Sequence, residues 1–212
     1  MNSKALIVEF IGTFFLVLTV GLTVIGPGAG PFAPLAIGCA LMIMVYAGGH
    51  ISGGHYNPAV TLGVWIRGKC ETKDAVPYMI VQILAGVVAA LVVKFFRGDA
   101  PVTASNPDVT KALLNELLFT FALVYVVLNT ATSSKNAGNS YYGLAIGFTV
   151  FVGAYAGGVI SGGAYNPAVA FGISTMGLSS WNNLWIFLVA NFLGGAIAAM
   201  VYKMVNPEEF KK

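Results

Sequence analysis

The stretch Ser-Gly-Gly-His-Tyr-Asn-Pro-Ala-Val occupies residues 52–60, and Ser-Gly-Gly-Ala-Tyr-Asn-Pro-Ala-Val occupies residues 161–169. Both are polar, glycine-rich and proline-bearing, yet they interrupt a chain that is 57% hydrophobic and only 9% charged. Soluble domains carry about 25% charged residues, so the surroundings of the doubled motif are those of a membrane protein. Irregular backbone is tolerated at membrane depth only when it is buried in protein or lines a water-filled cavity. Two such segments therefore point to a cavity.

Apolar runs close to the ~20 residues needed to cross a bilayer core of ~30 Å lie near 5–26, 33–50, 76–96, 112–132, 141–159 and 182–204. The first is too long for the apolar part of a signal peptide and lacks a small-residue cleavage pattern, so it reads as a retained span. Two shorter apolar pieces, about 57–65 and 166–176, reach only halfway across at ~1.5 Å per residue. Asn is a favoured N-cap and Pro a favoured first helical residue, so half-helices are expected to begin at Asn57 and Asn166, with Pro58, Ala59, Pro167 and Ala168 in their first turns.

Self-similarity extends beyond the doubled motif. Glu9 opens Glu-Phe-Ile-Gly-Thr-Phe-Phe-Leu-Val, and Glu116 opens Glu-Leu-Leu-Phe-Thr-Phe-Ala-Leu-Val. The fourteen residues from His50 match those from Val159 at ten positions. Two halves of one plan, about 1–97 and 110–205, form a single channel domain over 1–212. Three spans per half put the second half upside down relative to the first. The half-helices then enter from opposite faces and meet at mid-membrane. Lys and Arg are distributed with Lys4, Arg67, Lys69, Lys73, Lys135, Lys203, Lys211 and Lys212 on one side and Lys94, Arg97 and Lys111 on the other. Cytoplasmic termini follow from the positive-inside asymmetry, in a plasma or inner membrane.

Two helix N-termini facing one point concentrate positive potential there and repel cations. The Asn57 and Asn166 amides are expected to donate to the oxygen of a passing molecule while their carbonyls cap their own helices. A water held in this way turns its hydrogens outward and interrupts a proton-conducting chain. Glu9 and Glu116 are expected to accept hydrogen bonds from the loop N–H groups, since a buried charge is retained where it is hydrogen-bonded. His55, two residues before Asn57, is placed in the cytoplasmic vestibule. Tyr46, Tyr56, Tyr155 and Tyr165 are assigned either to the pore wall or to interior filling.

These motifs resemble those of the aquaporins, or major intrinsic proteins, through Glu9 with Gly-Thr-Phe-Phe and through both Asn-Pro-Ala segments. The resemblance covers essentially the whole chain. It implies an all-α membrane fold of six transmembrane helices plus two re-entrant half-helices, a pore in each protomer, a homotetramer, and passive conduction of water or small uncharged solutes. It also implies an outer selectivity filter at Ile37, Ala154, Gly163 and Val169. The chain departs from the family there, because Val169 stands where an Arg is usual. Ala170 stands where glycerol facilitators usually carry Asp, which argues against that branch, and Ile173 replaces the usual Pro after Phe-Gly. A Val at this position resembles some plant tonoplast intrinsic proteins, but Ile37 stands where those have His. The filter is therefore expected to be wide and apolar, passing ammonia, urea, hydrogen peroxide and glycerol besides water.

A secondary transporter is the competing reading, since inverted repeats with broken helices also build carriers. An enzyme is disfavoured because no nucleophile or metal constellation stands out. Cys39 and Cys70 form neither a disulfide framework nor a metal spacing. No cofactor or metal is expected, and the scattered net charge of +3 gives no basic stripe for nucleic acid.

Overall fold

The computed structural model describes residues 3–210; Lys211 and Lys212, counted above for orientation, lie outside the described residues. Eight α-helices account for most of them: α1 Ser3–Val24, α2 Ala33–Ser52, α3 Pro58–Ile66, α4 Thr72–Arg97, α5 Val109–Val127, α6 Tyr142–Ser161, α7 Pro167–Met176 and α8 Leu184–Val205. Six are long and apolar enough to cross a membrane, while α3 and α7 are the half-helices. The protein is an integral, multi-pass, all-α membrane protein.

Local sequence explains where the helices stop. α1 ends two residues earlier than its apolar run, because Gly26 and Gly28 adopt left-handed φ of 70° and 47° on either side of Pro27. α2 and α6 both end one residue before a left-handed glycine, Gly53 and Gly162. The fourth span departs from the sequence expectation in its last turn, which is a π-turn over Leu128–Thr132. There the side chains of Asn129, Thr130 and Thr132 donate to the carbonyls of Tyr125, Val126 and Leu128 four residues back. Such back-bonding competes with the α-helical ladder and widens the turn.

Packing follows the inverted repeat. α1 lies against α2 and α4, α5 lies against α6 and α8, and α2 crosses α6 where the halves meet. Gly38 sits under the Gly147 carbonyl at that crossing, where a Cβ would approach the oxygen to 2.7 Å. Each half-helix rests mainly on the last span of the opposite half, α3 on α8 and α7 on α4. Glycines make this exchange possible, since a Cβ on Gly86 of α4 would lie 2.5 Å from the Ala168 carbonyl oxygen. One on Gly195 of α8 would lie 2.7 Å from that of Ala59. Small residues serve in the membrane because apolar side chains gain nothing by leaving lipid, so close backbone approach supplies the contact.

Candidate pore and its supports

Both half-helices begin as their Asn-Pro sequences require. Asn57 and Asn166 are extended N-caps whose Oδ1 atoms accept from the N–H of Ala59 at 2.8 Å and Ala168 at 2.9 Å. Their amide groups are less free than the sequence suggests. Asn57 Nδ2 donates to the Tyr165 carbonyl and Asn166 Nδ2 to the Tyr56 carbonyl, both at 2.9 Å. One N–H of each amide is thus spent lacing the two loops together, and one remains for the cavity.

The loops that carry these residues contain two non-glycine residues in the left-handed region, Tyr56 at φ 50° and Tyr165 at φ 49°. Such a conformation costs about 1–3 kcal/mol and persists where its surroundings over-determine it. Here they do. Tyr56 N–H donates to Glu9 Oε2 at 2.7 Å, Tyr165 N–H donates to Glu116 Oε2 at 2.7 Å, and each Tyr carbonyl receives the opposite Asn amide.

Glu9 and Glu116 are wholly buried. Glu9 accepts from Ser52 Oγ, the N–H groups of His55 and Tyr56, and Gln82 Nε2, at 2.7 to 3.0 Å. Glu116 accepts from Ser161 Oγ, the N–H groups of Ala164 and Tyr165, and Asn191 Nδ2, at 2.6 to 2.9 Å. Each carboxyl group thus receives four donors, two on each oxygen. Gln82 and Asn191 are the supports that sequence reasoning missed; an amide within an apolar span was the available signal.

A cavity of about 330 Å³ runs between the helices, and its wall includes Ile37, Ala154, Gly163, Val169, His55, Asn57 and Asn166. The four residues assigned to the filter therefore share one wall with both Asn side chains. Pro58, Ala59, Pro167 and Ala168 are buried where the half-helices meet and do not line the cavity. Thr103 and Ser105 add hydroxyls, and no Asp, Glu, Lys or Arg among the described residues lines it. A second cavity of about 470 Å³ lies on the side of the α3–α4 loop and is bordered by Lys69, Glu71 and Asp74. His55 and Val127 belong to both walls, which places His55 at the neck between the cavities. Cys70 also borders the second cavity, and burial, followed by the charge of Asp74, pushes its thiol up to about 11. The thiol accordingly stays protonated and unreactive near neutrality. Tyr56 and Tyr165 are buried and donate through their hydroxyls to the Met44 and Gly153 carbonyls, whereas Tyr155, 61% exposed, faces outward.

Arg67, the C-cap of α3, is buried between the rings of Tyr202 and Phe210 at 5.2 and 4.7 Å and pairs with Glu209 at 2.6 Å. Glu209 also accepts from Ser133 Oγ and from the N–H and hydroxyl of Ser134. This clamp ties the end of the first half-helix to the loop after the π-turn.

Two re-entrant half-helices meeting inside an inverted bundle of six spans define a membrane channel of the aquaporin fold. A profile of the major intrinsic protein family matches residues 1–202. The chain is 37% identical to "Aquaporin TIP1-1" of Arabidopsis thaliana, across 95% of this chain and 86% of that protein. It is 39% identical to "Probable aquaporin TIP1-2" of Oryza sativa subsp. japonica, across 82% and 70% respectively. The aquaglyceroporin from Plasmodium falciparum superposes with a TM-score of 0.79 at 24% identity, over 99% of both chains. The chain belongs to the major intrinsic protein family and is a membrane channel for water or small solutes.

Proposed function

We propose that this chain conducts water together with small uncharged solutes, namely ammonia, urea, hydrogen peroxide and glycerol, and that it excludes ions. The observation that carries this reading is the wall shared by Ile37, Ala154, Gly163 and Val169, apolar where an Arg is usual and free of charged side chains. An ion entering such a passage loses its hydration without compensation, whereas a small neutral molecule gives up little. Asn57 and Asn166 form the polar centre, with the positive ends of α3 and α7 directed at the same place. Glu9 and Glu116 act on the pore only by holding its loops. The functional unit is a homotetramer in a plasma or inner membrane, with both termini cytoplasmic.

The test is stopped-flow light scattering on proteoliposomes, comparing shrinkage in an impermeant osmolyte with volume recovery in urea and glycerol. Rapid recovery in both is expected from the parent. Val169→Arg is expected to retain water permeation and to lose at least most of the urea and glycerol recovery. Parent vesicles that shrink fast but never recover would overturn the open-filter reading.

A further inference from the structure

His55 and Val127 both border the neck between the cavities. His55 Nδ1 lies 3.1 Å from Thr61 Oγ1. Thr61 Oγ1 in turn lies 3.0 Å from Gln82 Nε2, which also donates to Glu9 Oε2 at 2.7 Å. The direction of this chain can be read from its fixed end. Glu9 Oε2 already accepts from the Tyr56 backbone N–H, so it faces Gln82 as an acceptor and turns the NH₂ of Gln82 toward itself and toward Thr61. Thr61 thereby accepts one proton and must place its own. The candidates are His55 Nδ1 at 3.1 Å and Gln82 Oε1 at 3.4 Å, and the second is beyond the usual O–H···O range of about 2.5–3.0 Å. Thr61 therefore donates to Nδ1, and the ring proton resides on Nε2.

We propose that His55 is a specificity-determining residue at the inner neck, and that Glu9, Gln82 and Thr61 are positioning residues that lock it as the Nε2–H tautomer. The proposal rests on the channel reading above and adds to it a second point of selection. Nε2–H is a fixed donor for the lone pair of a small neutral molecule. The Val127 side chain at the same neck offers no hydrogen bond, so a solute gains one by turning its acceptor toward His55. Ammonia, water and urea have such a lone pair; ammonium has only donors and gains nothing there. Tyr78 holds the ring edge-on, with centroids 5.3 Å apart, and is itself anchored by donating to the Ser52 carbonyl. In the second half, Ala164 and Ala170 stand where repeat matching places His55 and Thr61, so the donor exists on one side only.

The chain contains two histidines, and His50 is exposed. Histidine-labelled protein carrying His50→Gln, measured in lipid by ¹⁵N solid-state NMR, isolates the His55 ring. Protonated Nε2 with bare Nδ1 is expected. Thr61→Val, which keeps the shape and removes the hydroxyl, is expected to give mixed or reversed tautomers, and Thr61→Ser to restore the parent spectrum. A parent ring protonated on Nδ1, or a Thr61→Val spectrum unchanged from the parent, overturns the lock. In vesicles, Thr61→Val should lower water permeability about fivefold, the equivalent of one neutral hydrogen bond, relative to Thr61→Ser. That difference should vanish when His55→Ala is added; its persistence shows that Thr61 acts otherwise and overturns the proposal. The spectrum is read without flux. The expected tautomer in a protein that conducts nothing would overturn the channel reading and the selective role with it, whereas Nδ1–H in a conducting channel would overturn the lock alone.

Discussion

The two re-entrant loops are built alike and equipped differently. In each, a buried carboxylate collects a serine hydroxyl, two backbone N–H groups and one amide from the last span of the same half. Beyond that shared frame they diverge. The first loop carries His55 bonded to Thr61, while the second has Ala164 and Ala170 at the matched positions. The second loop is braced by Asn115, whose Nδ2 lies 2.8 to 3.2 Å from Ser161 Oγ, the Gly157 carbonyl and Tyr165 OH, and the first has apolar Val8 at the matched position. The carboxylate frame and the central Asn57–Asn166 pair are thus duplicated, while the His55–Thr61 pair and the Asn115 brace belong to one loop each.

The sharpest way to break this comparison is at the carboxylates. Glu9→Gln and Glu116→Gln each replace an acceptor by a group with two N–H donors aimed at other donors. Each should cost on the order of 3 kcal/mol and lower the thermal midpoint of the detergent-solubilised protein. Similar losses are expected; a loop that survived would show that the shared frame carries different loads in the two halves. Next come the glycines on which the half-helices rest. Gly86→Ala and Gly195→Ala force a Cβ against a carbonyl oxygen, and each should destabilise by about 2 kcal/mol in the same thermal assay. A neutral effect at one alone would show that its half-helix can shift away.

The crossed amides give a smaller effect. Asn57→Ser and Asn166→Ser keep a capping oxygen but remove the donor to the opposite tyrosine carbonyl, and each should cost about 1 kcal/mol, because water in the passage replaces the lost donor. The double variant should depart from the sum, because both bonds join the same two loops and each accepting Tyr directly precedes the other Asn.

The smallest effect concerns the clamp, which has no counterpart because Met176 stands where repeat matching places Arg67. Ser134 first, with Ser133 and the charge of Arg67, lowers the Glu209 carboxyl from 4.5 to about 2. A carboxyl depressed by folding stabilises above its unfolded value and loses that contribution as pH falls toward its folded one. The clamp should therefore be intact at pH 5 and above, weaken between about 4.5 and 2, and be weakened at every pH in Glu209→Gln. Hydrogen exchange of the 206–210 segment checks both.

Much of this architecture was legible in the sequence because its signals are local. Spans follow from runs of apolar residues, and the half-helices follow from Asn-Pro at their starts. Glu9 and Glu116 stood out because each opens the matching stretch at the head of its half. The rest depends on contacts between remote residues. Nothing local marks Tyr56 and Tyr165 as left-handed, since the carboxylates and side-chain amides that hold their backbones come from residues at least 47 positions away. Gln82 and Thr61 acquire meaning only once α1, α3 and α4 are in contact. The pairing of Arg67 with Glu209 spans 142 positions and answers to no repeat.

The crossed bonds at the midplane also bear on how the chain is made. The carbonyl of Tyr56 waits for Asn166, 110 residues further along. At about 5–20 residues per second, the wait is roughly 5–20 seconds of synthesis. During that interval the first loop holds a polar group that hydrocarbon cannot satisfy, and its left-handed tyrosine lacks one of its two anchors. The first half must therefore remain partly open to water or shielded by the insertion machinery, and settles only when the later half arrives to close it.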